Sequence, residues 1–155
     1  MIKATSAPLA AARDYRAALA RLLMAQGLAH VRVDWKGHPP VRDAASGKLL
    51  WSYPIDQTTA VIPTPIVRGD LVFFSAGYRR GGALLKQVAT ADGVKMEEVY
   101  GLNQDLANKH GGVVLVGDHL YGDSDDQGIP FCAELATGRQ AWKSRGSGKG
   151  SAAVV

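Results

Sequence analysis

The sequence predicts an all-β fold, a partial β-propeller of four-stranded antiparallel blades: about two complete blades plus parts of two others. Two repeating series and the spacing of short apolar runs predict it. "SGKLLW" (46–51), "DGVKMEEV" (92–99) and "TGRQAW" (137–142) share a turn glycine, a basic residue within two positions and an apolar residue further on; Gly47, Gly93 and Gly138 lie 46 and 45 residues apart. "PIVRGDLVFF" (65–74) and "VVLVGDHLYG" (113–122) both read apolar run, Gly-Asp turn, apolar run, with Gly69 and Gly117 spaced by 48. A period near 45 residues is that of propeller blades. Within each period the β-branched and aromatic runs are short and punctuated by Gly and Asp, as strands of a meander are.

The elements follow in order. Residues 1–30 read as a separate N-terminal segment, a helix or a disordered leader. In "RDYRAALARLLMAQG" Tyr15, Leu19, Leu22 and Leu23 share a helical face, and Gly27 is a C-terminal stop. Residues 31–155 read as the blades. "VRVDW" alternates like a strand, and "PPVRDAASGKLLW" joins the blade pattern. The next unit supplies four strands, "AVIPTPIV", "LVFFSAG", "GALLKQVAT" and "VKMEEVY", with "RGD" and "ADG" as turns. Pro63 and Pro65 stand near the beginning of the first, where a missing N–H is tolerated. The third unit repeats the design as "GGVVLV", "HLYGDS", "IPFCAEL" and "RQAWKSR", and "GSAAVV" (150–155) looks like the start of another.

Composition narrows the function classes. Apolar residues make up 46% of the 155, enough for a core. No apolar run approaches the roughly 20 residues of a membrane span, and no signal peptide is visible. The single cysteine, Cys132, excludes an internal disulfide and any multi-cysteine metal site. Residues 1–50 carry eight Lys/Arg against three Asp/Glu, a net +5, and the remainder ten against eleven, a net −1. The basic excess is scattered without adjacent Lys/Arg, so no nucleic-acid partner is expected.

At "SGKLLWSYP", "IPTPIVRGDLVFFSAGY", "GGALLK", "HGGVVLVGDHLYG" and "TGRQAWKSRGSGKGS" the chain resembles the pyrroloquinoline-quinone-like (PQQ-like) β-propeller repeat family of bacteria. The resemblance covers about residues 41–155. It implies that Trp51 and Trp142 occupy equivalent outer strands, packed between neighbouring blades and mostly buried. The middle unit departs, with Val99 or Tyr100 near that position. The resemblance further implies a periplasmic or extracellular location. It makes the chain a piece of a larger propeller, its partners being the remaining blades or another protein.

Each candidate site competes with a plain structural role. "DSDDQGIPFCAE" places Asp123, Asp125 and Glu134 at calcium-loop positions, with Gly128 at the turn. Pro130, an amide at Gln127 and strand-like flanks favour instead a hairpin turn with solvated aspartates. "GYRRGGALLK" lacks Walker spacing, so Arg79 and Arg80 read as a Gly-rich strand connection able to meet an anion at a propeller face. His110 precedes Gly111 and Gly112 ahead of an inner strand, near where propellers bind ligands. Cys132, in an apolar strand, reads as an inert buried thiol. No serine lies in a nucleophile elbow.

Two functions follow. The favoured one is a non-catalytic scaffold or binding surface with no assured cofactor. The alternative is a fragment of a PQQ-dependent quinoprotein dehydrogenase, which the resemblance ties to PQQ and calcium. Many such enzymes have an adjacent-cysteine disulfide, which one cysteine cannot form.

Overall fold

The computed structural model describes residues 40–43, 45–55, 60–91, 93–146 and 148–153. The helix expected in "RDYRAALARLLMAQG" and the strand expected in "VRVDW" lie outside these residues. Ten strands follow one another among the described residues. They are β1 (Pro40–Arg42), β2 (Leu49–Ser52), β3 (Ile66–Arg68), β4 (Leu71–Ala76), β5 (Gly81–Thr90), β6 (Gly93–Asn103), β7 (Val113–Val116), β8 (His119–Asp123), β9 (Pro130–Glu134) and β10 (Gln140–Lys143). They form three antiparallel sheets: the pair β1-β2, the blade β3-β4-β5-β6 and the blade β7-β8-β9-β10. The all-β, partial-propeller fold read from the repeats is therefore present. The first strand of the middle blade is shorter than "AVIPTPIV". Only Ile66–Arg68 pair with β4, because Pro63 and Pro65 have no N–H to give to a ladder.

The turns explain the repeat. Gly47 (φ 69°) and Gly138 (φ 68°) sit in left-handed turns that open the outer strands β2 and β10. A side chain at Gly138 would meet strain from its φ and the Tyr100 ring at 3.0 Å. Both turns close on an acid. Asp43 accepts from the Ser46 amide and hydroxyl, and Glu134 accepts from the Thr137 hydroxyl and pairs with Arg139. Gly93 opens β6 from a shorter turn, where the Thr90 hydroxyl donates to the Gly93 carbonyl.

Strand alternation divides the core into two layers. From β4, Val72, Phe74 and Ala76 join Val41, Trp51, Tyr53 and Ile55 in a layer between the pair and the middle blade. Phe73 and Leu84 face the other way and pack with Leu106, Leu120, Phe131 and Ala133 between the two full blades. The middle blade is thus covered on both faces, and β4 is buried from Val72 to Ala76. That accounts for "LVFFSA" being apolar almost throughout, since a strand buried on both faces loses its polar alternation.

Cross-strand register fixes the equivalences. Ile66, Phe73, Leu84 and Tyr100 form one row across the middle blade, and Val114, Tyr121, Cys132 and Trp142 the matching row across the last. Tyr100 therefore stands where the outer-strand Trp is expected. Trp51 is buried at 9% exposure, and its indole N–H donates to Gln87 Oε1 of the next blade at 3.3 Å. Trp142 corrects the expectation of burial. It is 47% exposed, covered on one side by the Tyr121 ring with centroids 6.2 Å apart. Its row is the one face of the described blades with no sheet packed on it.

Candidate functional site

The turn between β4 and β5 is unusual for its residues. Tyr78 (φ 55°) and Arg79 (φ 59°) both take the left-handed conformation of a type I′ hairpin turn, closed by the Arg80 N–H on the Gly77 carbonyl. Such turns favour Asn and Gly, and a bulky residue there stores of order 1–3 kcal/mol. Two contacts hold it. The Asp125 carboxylate, from the β8–β9 loop of the next blade, accepts the Tyr78 N–H at 2.8 Å and the Arg79 N–H at 3.0 Å. Lys109, in the connection from β6 to β7, places its ammonium 4.5 Å from the Tyr78 ring centroid. Its stem crosses Gly77, where a Cβ would come within 2.9 Å of Lys109 Cβ. Asp125 is itself left-handed (φ 49°), and its amide donates to the Ala107 carbonyl.

These loops meet at one end of the two blades and enclose a polar cavity of about 220 Å³. Arg79 lines it from the turn, Gln104 and Asp105 from the connection, Asp125 and Gln127 from the β8–β9 loop, and Lys143 from the end of β10. The floor is firm. Leu106 is fully buried against Gly82 and Phe73, and its carbonyl accepts the buried Ser75 hydroxyl at 2.8 Å. Asn103 caps the single 3₁₀ turn that starts the connection, accepting the Asp105 amide and donating to the Gly138 carbonyl. Asn108 ties the connection down by accepting from Gly112 N and donating to the carbonyls of Gly112 and Asp123.

Of the residues singled out from sequence, Arg79 lies at the cavity and Arg80 in the same turn. His110 is exposed on the neighbouring connection, beside the Lys109 that braces Tyr78. The three acids are engaged separately. Asp123 is buried and organises its own loop, accepting Gly128 N and Ile129 N on one oxygen and Gly150 N on the other. Asp125 serves the turn across the blade junction. Glu134 closes the β9–β10 turn, and the Thr137 hydroxyl, aided by Arg139, holds its carboxyl below the usual range. Among the described residues no group of three or more His, Cys, Asp or Glu is arranged for a metal. Cys132 is buried under Tyr121 and Trp142 in the outer row. Sequence reasoning passed over Tyr78, Lys109, Gln104 and Lys143. The signal available was a Tyr-Arg-Arg tip where a hairpin ordinarily carries Asn-Gly.

Residues 6–144 match the family described as outer membrane protein assembly factor BamB. The chain belongs to this PQQ-like repeat family. The crystal structure of BamB from Moraxella catarrhalis is similar to it at 18% identity and a TM-score of 0.45, over 70% of this chain and 30% of that one. The chain thus spans under a third of that BamB's length. No curated protein matches the sequence. Among the described residues of this BamB-family chain, no helix is long and apolar enough to cross a membrane.

Proposed function

We propose that this chain is a non-catalytic propeller module, a scaffold or binding surface that works within a larger protein in the periplasm or outside the cell. The observation that carries the reading is the blade junction, where a strained, exposed turn is held in place by the neighbouring blade. Strain that the surroundings over-determine belongs to sites arranged in advance for a partner. The family's description as an outer membrane protein assembly factor supports a protein as that partner. A periplasmic place of work fits the same description.

The donor set favours this reading over quinone chemistry with calcium. Asp123 and Asp125 give their oxygens to backbone amides, and Glu134 to Thr137 and Arg139, so they do not converge on one cation. The test is direct. The purified chain is mixed with PQQ and Ca²⁺ while the quinone absorption and dye-linked alcohol oxidation are followed. No spectral shift and no oxidation are expected. Turnover of an alcohol overturns the non-catalytic reading.

A further inference from the structure

We infer that the β4–β5 turn and the cavity beside it form a docking surface for an acidic segment of a protein partner, with Tyr78 as its anchor. The inference rests on the binding-module reading and names the surface and the partner's chemistry.

The surface is composed as a recognition site. Tyr78 is 54% exposed at the tip of the turn, among few large apolar side chains left in solvent. Tyrosine and arginine dominate binding hot spots because each combines a broad contact area with a polar end. Here Tyr78 and Arg79 are adjacent. Lys109 lies over the Tyr78 ring, and Lys143, from the last strand, lines the same cavity as Arg79. Among the described side chains lining the cavity, the acids are Asp105 and Asp125. Asp125 is turned onto the amides of Tyr78 and Arg79, which engage both of its carboxylate oxygens. Among the described residues, Arg79 and Lys143 have no carboxylate within ion-pair distance, whereas Arg68, Lys86, Lys95 and Arg139 each have one. Gln104 and Gln127 add amides that suit the backbone of an extended chain.

The site is also ordered before any partner arrives. The turn takes a conformation disfavoured for its side chains, and Asp125 and Lys109 hold it there from two other elements. A preformed turn loses little conformational freedom on association, which strengthens binding without new contacts. Had the turn only to join β4 to β5, Asn-Gly at its tip would serve better. Backbone stability alone therefore does not account for a Tyr-Arg pair at this tip.

The experiment uses the full chain and a fluorescein-labelled ten-residue peptide of alternating Glu and Ser, with Gln/Ser and Lys/Ser peptides as controls. Fluorescence anisotropy is read at low and high salt. The acidic peptide is expected to bind and to weaken with salt, and the controls to bind at least about tenfold more weakly. Reversing charge with Arg79→Glu and Lys143→Glu is expected to weaken it by about tenfold or more. The decisive variant is Tyr78→Asn with Arg79→Gly. It removes anchor and cation while relieving strain, so its unfolding midpoint is expected to match or exceed the parent's as peptide binding is lost. Arg79→Lys is expected to restore most of the affinity lost in Arg79→Glu. The proposal is overturned if the acidic peptide does not bind, if the Asn-Gly variant binds like the parent, or if anionic lipid vesicles bind where the peptide does not. A failed peptide titration together with absent quinone turnover removes this surface and leaves the scaffold reading standing.

Discussion

The two full blades share a plan and differ in what covers them. The middle blade is buried on both faces; the last is buried on one. The row containing Phe73, Leu84 and Tyr100 is sealed by Leu106 and by the next sheet. The equivalent row, Val114, Tyr121, Cys132 and Trp142, meets no sheet, and Trp142 is half in solvent. Identical positions in a repeat therefore carry different energies, because a blade residue draws its stability from the neighbour as much as from its own strand.

This difference can be broken by substitution. The largest effect is expected from Trp51→Ala, which opens a cavity between the pair and the middle blade. A loss of about 3–5 kcal/mol is expected from the denaturant midpoint. A loss under about 1 kcal/mol would show that Trp51 is not part of a cooperative core. Asp125→Ala comes next. It removes two charge-assisted hydrogen bonds across the blade junction and releases a strained turn, for a loss of about 2–3 kcal/mol. Asp125→Asn keeps the acceptor on one side and is expected to lose less. Trp142→Ala follows at about 1 kcal/mol, since half of the indole is already in water. A loss as large as that of Trp51→Ala would mean that Trp142 is covered in solution, and light scattering would then report self-association.

The smallest effect is one of pH. Tyr53 donates to Glu98 across the first layer at 2.6 Å, and burial, then that carboxylate, raises the phenol to about 12. Below about pH 10 the phenol is protonated in both folded and unfolded chains, and its contribution is complete. Between about 10 and 12 the unfolded chain ionises first, so stability falls as pH rises. Burial raises Tyr100 in the same direction. Tyr53→Phe is expected to show a shallower alkaline decline in thermal midpoint than the parent, with Tyr100 leaving a remainder. An unchanged slope would contradict the assignment.

Much of the blade plan was legible because it is local. Turn glycines must sit where φ is positive, and Gly47, Gly93 and Gly138 do. The "GD" turns at Gly69 and Gly117 join first to second strands as read, and Arg68 bridges them by bonding the Gly117 carbonyl and pairing with Asp118. The role of Glu134 was misread as a calcium position: "DAASGK" (43–48) and "ELATGR" (134–139), with Asp43 and Glu134 four residues ahead of their glycines, form the same turn. What escaped were relations between blades. Asp125 and Tyr78 are 47 residues apart, and no single-strand pattern says that a carboxylate from one loop will hold the tip of another. The exposure of Trp142 escaped for the same reason, since the motif specifies a strand and a face but not whether that face is covered.

Leu106 has a consequence for the order of events during synthesis. It belongs to the connection that follows β6, not to the sheet that comes after. A nascent chain therefore makes the plug for one blade before any strand of the next has left the ribosome, when uncovered apolar strands are most prone to aggregate. After β10 the chain runs back over the last blade through Gly146, Gly148 and Gly150, above a cavity of about 220 Å³ floored by Gly122 and Pro130. Glycines bring no side chain to fill it. The middle blade is thus plugged by a side chain from its own connection, whereas the last blade is crossed by a glycine-rich segment.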